Sequence, residues 1–286
     1  METFIIFSAC RPKIGRVSVQ DTMDPMQLTL LGGAESAGFA RDLASLLGED
    51  DELAVVFNTS RDMWVHGLKR SPDADAFLTV LDATTPRPPS FAVADEIDGL
   101  GMGPAWLRPS DQDVALNLVR TELLQAGFSL TEVTTALATR RGIRTKLLPM
   151  TDARVEQHVV TTGPEGSRAV HIEEFLAGPA EQPAHDLVLV ADDWNASKEA
   201  AAAIESADVI IFGPASLSLT LMPLLRTPGL VEAVAASGAP VVDVHVVDSA
   251  PASLASLAGN VELKFDLAVK CEPDPRAALY AARGLL

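Results

Sequence analysis

One stretch, Leu28 to Asp75, limits the possible folds more than any other part of the chain. It reads as strand, glycine-rich turn, helix, second strand and acidic loop. Leu28-Thr29-Leu30-Leu31 is a short apolar run, and Gly32-Gly33-Ala34-Glu35-Ser36-Ala37-Gly38 follows it. Phe39, Leu43, Leu46 and Leu47 then recur on one side of a helix. Leu53-Ala54-Val55-Val56-Phe57 is too short and too β-branched to be helical, so it is a second strand. Parallel sheets place ligands beyond the carboxyl ends of their strands. The glycine turn and the loops Asn58 to Asp62 and Ser71 to Asp75 therefore fall on one edge.

Such a turn lets backbone N–H groups approach a phosphate at the positive end of the next helix. Gly33 and Gly38 have P-loop spacing, but Phe39 and Ala40 stand where Lys and Ser or Thr are required, which excludes a Walker-type nucleotidase. A tight turn with no ligand fits the glycines equally well. The acidic loop tips the balance toward a ligand, because a hard divalent cation commonly bridges phosphates to protein carboxylates.

The same alternation continues to the end. Asp208 to Phe212 and Pro240 to Val247 are buried strands, Ser197 to Ser206 and Leu230 to Ala236 are helices, and Val261 to Val269 and Pro275 to Leu286 read as a last strand and helix. The expected fold class is α/β, a Rossmann-like doubly wound, mostly parallel sheet. Residues 1–27 are expected to be a loosely packed extension, with Met23 or Met26 as possible true starts. Residues 28–286 form one domain, in which the proline-rich break Thr84 to Ser90 opens an inserted, more helical region of about 84–185. In that region Val114, Leu118, Thr121 and Leu124 give an amphipathic helix flanked by Arg120, and Ser129 with Glu132 forms a capping box. Gln157 to Thr161 and Arg168 to Phe175 are expected to pair through the turn Gly163-Pro164-Glu165-Gly166.

A net charge of −17 argues against nucleic-acid backbones and anionic membranes as partners. No apolar run is long enough to span a bilayer. Cys10 and Cys271 are the only cysteines, so no disulfide framework is implied and a cytoplasmic location is expected. Five scattered histidines lack ligand spacing, which disfavours zinc. Ser216 and Ser218 lack the Gly-x-Ser-x-Gly frame of a hydrolase; they cap a helix or hydrogen-bond a ligand. Asp62, Asp73, Asp75, Asp111 and Asp113 each have helix capping as an ordinary explanation, but together with the glycine turn they could hold Mg²⁺ against a phosphate. Trp64 and Trp106 border these loops and either stack on a planar ring or pack in the core.

The order of these words resembles the 2-phospho-L-lactate transferase family and its relatives of the gluconeogenesis-factor type. The matching words are Leu31-Gly32-Gly33, Asn58-Thr59 with Asp62, His66-Gly67-Leu68, Ser71-Pro72-Asp73-Ala74-Asp75, and Trp106-Leu107 leading to Asp111-Gln112-Asp113. Leu118 to Leu124, Leu148 to Asp152, Glu173-Glu174-Phe175 and Ile211-Phe212-Gly213-Pro214 continue them, covering about Leu28 to Val246. The resemblance implies transfer of a phospholactyl- or phosphoenolpyruvyl-like phosphate from a guanylyl donor to a deazariboflavin hydroxyl. GMP is released, Mg²⁺ is required, and the step belongs to coenzyme F-420 biosynthesis. It implies Asp62 and Asp75 as catalytic and metal-holding residues. Gly32, Gly33, Asn58, Asp73, Asp111, Asp113, Gly213, Pro214, Ser216 and Ser218 would bind substrate. A homodimer is expected.

Departures fall on the same edge. Relatives carry Gly-Asp-Asp where this chain has Ser60-Arg61-Asp62, and Gly-Asp-Arg-Asp where it has Ser110-Asp111-Gln112-Asp113. Their Gly-Pro-Ser-Asn-Pro is here Gly213-Pro214-Ala215-Ser216-Leu217, and Glu35 in the glycine turn would repel a phosphate. Arg61 could supply the charge lost at Gln112. The alternative to an enzyme with altered substrates is a weakened paralogue that binds a nucleotide or protein partner in a regulatory role.

Overall fold

The computed structural model describes residues 25–82, 88–163, 166–179, 181–244, 250–255, 257, 268–271 and 273–286. The extension before residue 25, with Cys10, lies outside them, as do residues 83–87 of the proline-rich break, Pro164-Glu165 of the hairpin turn, 245–247 of the strand expected to reach Val247 and 261–267 of the last expected strand. The chain begins its core with β1 (Gln27–Gly32), a 3-10 turn Ala34–Ser36, α1 (Ala37–Leu46) and β2 (Glu52–Phe57). Met26 is already buried in that core.

The acidic stretch is not a plain loop. It folds into a two-stranded ribbon, β3 (Met63–Val65) and β4 (Leu68–Arg70), before α2 (Pro72–Val80). Val65 pairs with Leu68, so His66-Gly67 is a two-residue turn, and both residues have positive φ, 52° and 77°. That is the twist-matched hairpin geometry in which glycine carries no steric penalty. Next come α3 (Ala92–Gly99), α4 (Asp111–Gln125), α5 (Leu130–Arg140) and β5 (Lys146–Pro149). An antiparallel sheet follows, β6 (Val155–Gly163), β7 (Gly166–His171) and β8 (Asp186–Ala191) in the order β7-β6-β8, with α6 (Ile172–Ala177) after β7. The strand expected to reach Phe175 thus stops at His171, whose side chain accepts the Glu173 N–H and caps α6.

The chain then runs α7 (Lys198–Glu205), β9 (Val209–Phe212), a π-helical turn Leu217–Leu221, α8 (Met222–Arg226), α9 (Leu230–Ser237), β10 (Val241–Val244), α10 (Ala252–Ala255), β11 (Ala268–Cys271) and α11 (Pro275–Leu285). Six strands form one parallel sheet in the order β11-β10-β9-β1-β2-β5. Alternate side chains go to opposite faces: Leu28, Leu30, Val55, Phe57, Val209 and Ile211 pack under α1 and α11, while Leu31, Val56, Ile210 and Phe212 pack under α7 and α9. A sheet buried on both sides explains the unbroken apolar strands. Region 84–185 holds α3 to α6 and most of the antiparallel sheet, while its β5 belongs to the central sheet. Among the described residues no single helix is long and apolar enough to cross a membrane.

Candidate functional site

Strand order reverses at β1, which has β2 on one side and β9 on the other. The crevice at such a reversal is where open α/β sheets bind ligands. Its floor is glycine because there is no room for anything else. A Cβ on Gly32 would lie 2.3 Å from Ser36 Oγ, and one on Gly213 would lie 2.7 Å from the same atom. A Cβ on Gly33 would meet Thr220 Cγ2 at 2.8 Å and Asp73 Oδ1 at 3.0 Å. The glycine turn, the acidic segment and the π-helical turn therefore converge on one rim.

Asp73 is fully buried at the centre of that rim. Its Oδ1 accepts the Ala34 N–H at 2.7 Å, so a carboxylate occupies the place at the glycine turn where a phosphate was expected. Its Oδ2 has no hydrogen-bond partner, nor do the buried hydroxyls of Thr59 and Ser60 on the preceding loop. Buried polar groups are normally satisfied, so each of these orphans has capacity for one more hydrogen bond, from water or a ligand. Burial pushes the Asp73 carboxyl up to about 7, with Glu35 and Asp62 adding to the shift and Arg61 opposing it.

Cations surround the acids. Arg61 Nη1 lies 3.7 Å from Asp73 Oδ1, and its Nε and Nη2 both reach Glu173 Oε1, at 2.8 and 2.7 Å. Arg70 Nη1 takes the other Glu173 oxygen at 2.8 Å. Burial opposes the charge on Arg61, but Asp73 and Glu173 together hold it protonated. Burial likewise opposes the charge on Glu173, and the two arginines outweigh it and draw its pKa down. Asp62 accepts Ser71 Oγ–H at 2.6 Å and pairs with Lys69 Nζ at 3.0 Å. Asp75 is gripped by the fork of Arg120, which is 0% exposed. His171 receives the Glu173 N–H on Nδ1 and so donates from Nε2 to the Asp62 carbonyl at 3.2 Å, a tautomer that ties both acids to β7.

Asp62 and Asp75, the pair expected to hold Mg²⁺, do not fit that ion as they stand. Each carboxylate is already matched to a protein cation, and Mg²⁺ demands free oxygens in near-octahedral array. Other expected residues serve the scaffold. Asn58 is buried, donates to Leu219 C=O at 3.1 Å and accepts the Ser60 N–H at 2.9 Å. Pro214 C=O accepts from Ser36 Oγ, and Ser216 caps the π-helical turn. Ser218 is buried beside Ser216, and its carbonyl accepts from Gln157.

Asp111 and Asp113 lie apart from this group. Asp111 accepts the Val93 N–H at 3.0 Å and caps α3, while Asp113 completes a capping box with Ser110. They start α4, about 10–14 Å along the helix from Arg120. Gln112 donates to Pro88 C=O rather than to anything at the rim. Trp64 is exposed on β3 and Trp106 is half-buried.

The expected apolar stripe of α4 is also corrected. Leu118 is 55% exposed, and the inward face carries Leu116, Asn117, Arg120 and Thr121. Thr121 Oγ accepts the Lys69 N–H at 2.7 Å, and Arg120 donates to Lys69 C=O and Asn117. A helix that docks on strand backbone and a carboxylate needs polar groups inside. Arg120, Lys69, Glu173 and His171 are the partners of the acids that sequence spacing missed; of the four, only Arg120 and Glu173 lie inside the family words.

A parallel sheet whose strand order reverses at β1, with glycines and partly unsatisfied polar groups at the reversal, defines a Rossmann-like α/β protein. The family model described as 2-phospho-L-lactate transferase CofD matches residues 28–259. A protein named phosphoenolpyruvate transferase from Kitasatospora aureofaciens is 38% identical over 234 residues, 78% of this chain and 73% of that one. Its namesake from Mycobacterium marinum is 34% identical over 239 residues, 76% of this chain and 73% of that one. The crystal structure of a UPF0052-family member from Bacillus halodurans superposes with a TM-score of 0.57 at 19% identity, covering 78% of this chain and 69% of that one, and so shares the fold. The chain belongs to the 2-phospho-L-lactate transferase CofD family.

Proposed function

We propose that this chain transfers a phosphoenolpyruvyl- or phospholactyl-type phosphate from a guanylyl donor to a deazariboflavin hydroxyl, in the building of coenzyme F-420. Family membership and relatives named phosphoenolpyruvate transferase support the reaction class. The observation that carries the reading is Asp73, a buried carboxyl with one unpartnered oxygen at the glycine turn. In this reading the acceptor oxygen attacks the phosphorus bearing the carboxylic acid. The new O–P bond forms as the P–O bond to GMP breaks, and the hydroxyl proton passes to Asp73 Oδ2. A carboxyl pushed up to about 7 is well matched to a proton transfer at neutral pH. Arg61 and Lys69 offset the negative charge gathered at the rim.

The test is to supply the purified chain with either donor and deazariboflavin, and to follow GMP by chromatography and the product by mass. Asp73→Asn should lower kcat about 10²–10⁴-fold while leaving donor binding measurable. Donor binding without GMP release in the wild type would favour the regulatory alternative, which the complete pairing of Asp62 and Asp75 also favours. A homodimer in the cytoplasm remains the assembly and location we propose for it.

A further inference from the structure

Kinship with the family implies acids arranged around a divalent ion, and the side chains here are arranged otherwise. Asp75 has both oxygens on Arg120, and Asp62 is shared between Lys69 and Ser71. Asp73 Oδ1 is taken by the Ala34 N–H, and of the two oxygens of these acids that accept no hydrogen bond, Asp62 Oδ2 faces Lys69 Nζ at 3.0 Å while Asp73 Oδ2 faces no cation within ion-pair distance. Arg61 stands directly before Asp62 on the loop that follows β2. It is not a loose surface cation. Its side chain is 15% exposed, Glu173 fixes it through two contacts, and Arg70 fixes Glu173 from the other side.

We infer that Arg61, clamped by Glu173, is a resident cation that neutralises Asp73 in the place a divalent ion would take, so that the chain itself binds no Mg²⁺ or Mn²⁺ at this rim. This rests on the rim being the substrate site, as proposed above. A guanidinium does not lose its proton, so the charge is permanent. A dication would need several oxygens at about 2.0–2.1 Å, and the carboxylates of Asp62, Asp75 and Glu173 are each already paired with a protein cation, which falls short of the usual set. It would also sit beside Arg61 and Lys69, in a buried setting where water screens like charges poorly.

The test titrates Mn²⁺ into the full chain without nucleotide and reads free ion by electron paramagnetic resonance. The wild type should retain no Mn²⁺ at millimolar concentration. Arg61→Asp should gain one stoichiometric site, and adding Asp73→Asn should remove it again. Arg61→Gln/Glu173→Gln, which removes both halves of the pair and so guards against misfolding, should gain a weaker site. A wild-type site abolished by Asp73→Asn would overturn the inference. So would folded Arg61 variants that bind no more Mn²⁺ than wild type. The readout needs no substrate. A wild type that neither binds Mn²⁺ nor releases GMP keeps the cation assignment and removes the transferase reading. One that releases GMP and holds Mn²⁺ through Asp73 does the reverse.

Discussion

Two buried acids a few ångströms from the same arginine are pushed in opposite directions, because what surrounds each decides which form is favoured. Glu173 faces two guanidiniums and titrates low, whereas Asp73 has one guanidinium, at 3.7 Å, against full desolvation and titrates high. The linkage signs follow. Asp73 contributes stability in full below its unfolded value of 3.8, and that contribution is lost as pH rises toward about 7. Urea unfolding of wild type and Asp73→Asn should therefore show the wild type losing stability relative to the variant across that window. Glu173 behaves oppositely, its contribution being present above its ordinary value and lost on acidification. Glu173→Gln strands Arg61 and Arg70 in a mostly buried site and should cost about 3 kcal/mol, read as a lower urea midpoint at unchanged slope. Asp62, Asp73 and Asp75 were legible because they lie within one short stretch beside a turn. Arg120 and Glu173 were not, since they lie 45 positions from Asp75 and 112 from Arg61, respectively, and only the fold brings them together.

At the scale of elements, the glycine turn and the π-helical turn act as two jaws that meet where Thr220 Oγ donates to Glu35 at 3.2 Å and where a Cβ on Gly33 would strike Thr220. Gly33→Ala should destabilise by about 1–3 kcal/mol through overpacking. Thr220→Ser removes the methyl that the new Cβ would strike at 2.8 Å, so a double-mutant cycle should recover most of the loss; additive costs would mean the jaws do not meet there. The parallel strands were readable from apolar runs because both faces of the sheet are covered, and the capping box of α5 was readable from Ser129-Glu132 spacing. The ribbon β3–β4 was not, because three-residue strands carry too little pattern. Helix α4 was turned the wrong way for a different reason. Periodicity assumes an apolar interior, and its inner face instead meets the backbone of Lys69 and the Asp75 carboxylate.

On the scale of the whole molecule, the question is whether the antiparallel sheet is an appendage or part of one cooperative unit. Gln157 on β6 is buried, takes the Ser60 carbonyl with its N–H at 2.7 Å, and donates from Nε2 to Ser218 C=O at 2.9 Å. It thereby bridges the loop after β2 to the π-helical turn after β9. Val159, Val170, Ile172 and Phe175 form a further apolar cluster with Leu219 of that turn and Leu254 of α10. Detaching the sheet would expose this cluster and also release His171 from Asp62. The two sheets should therefore unfold together, with tryptophan fluorescence and far-ultraviolet dichroism giving one coincident urea transition. Within that unit protection should still be graded. Strands β1, β2 and β9 lie inside the buried parallel sheet, whereas Gly166 to Ala169 of β7 are exposed. Amide exchange should run through global unfolding in the former and through local fraying in the latter. Should β6 exchange as fast as β7 while β1 stays protected, the Gln157 bridge does not couple the sheets, and the rim would open without unfolding the core.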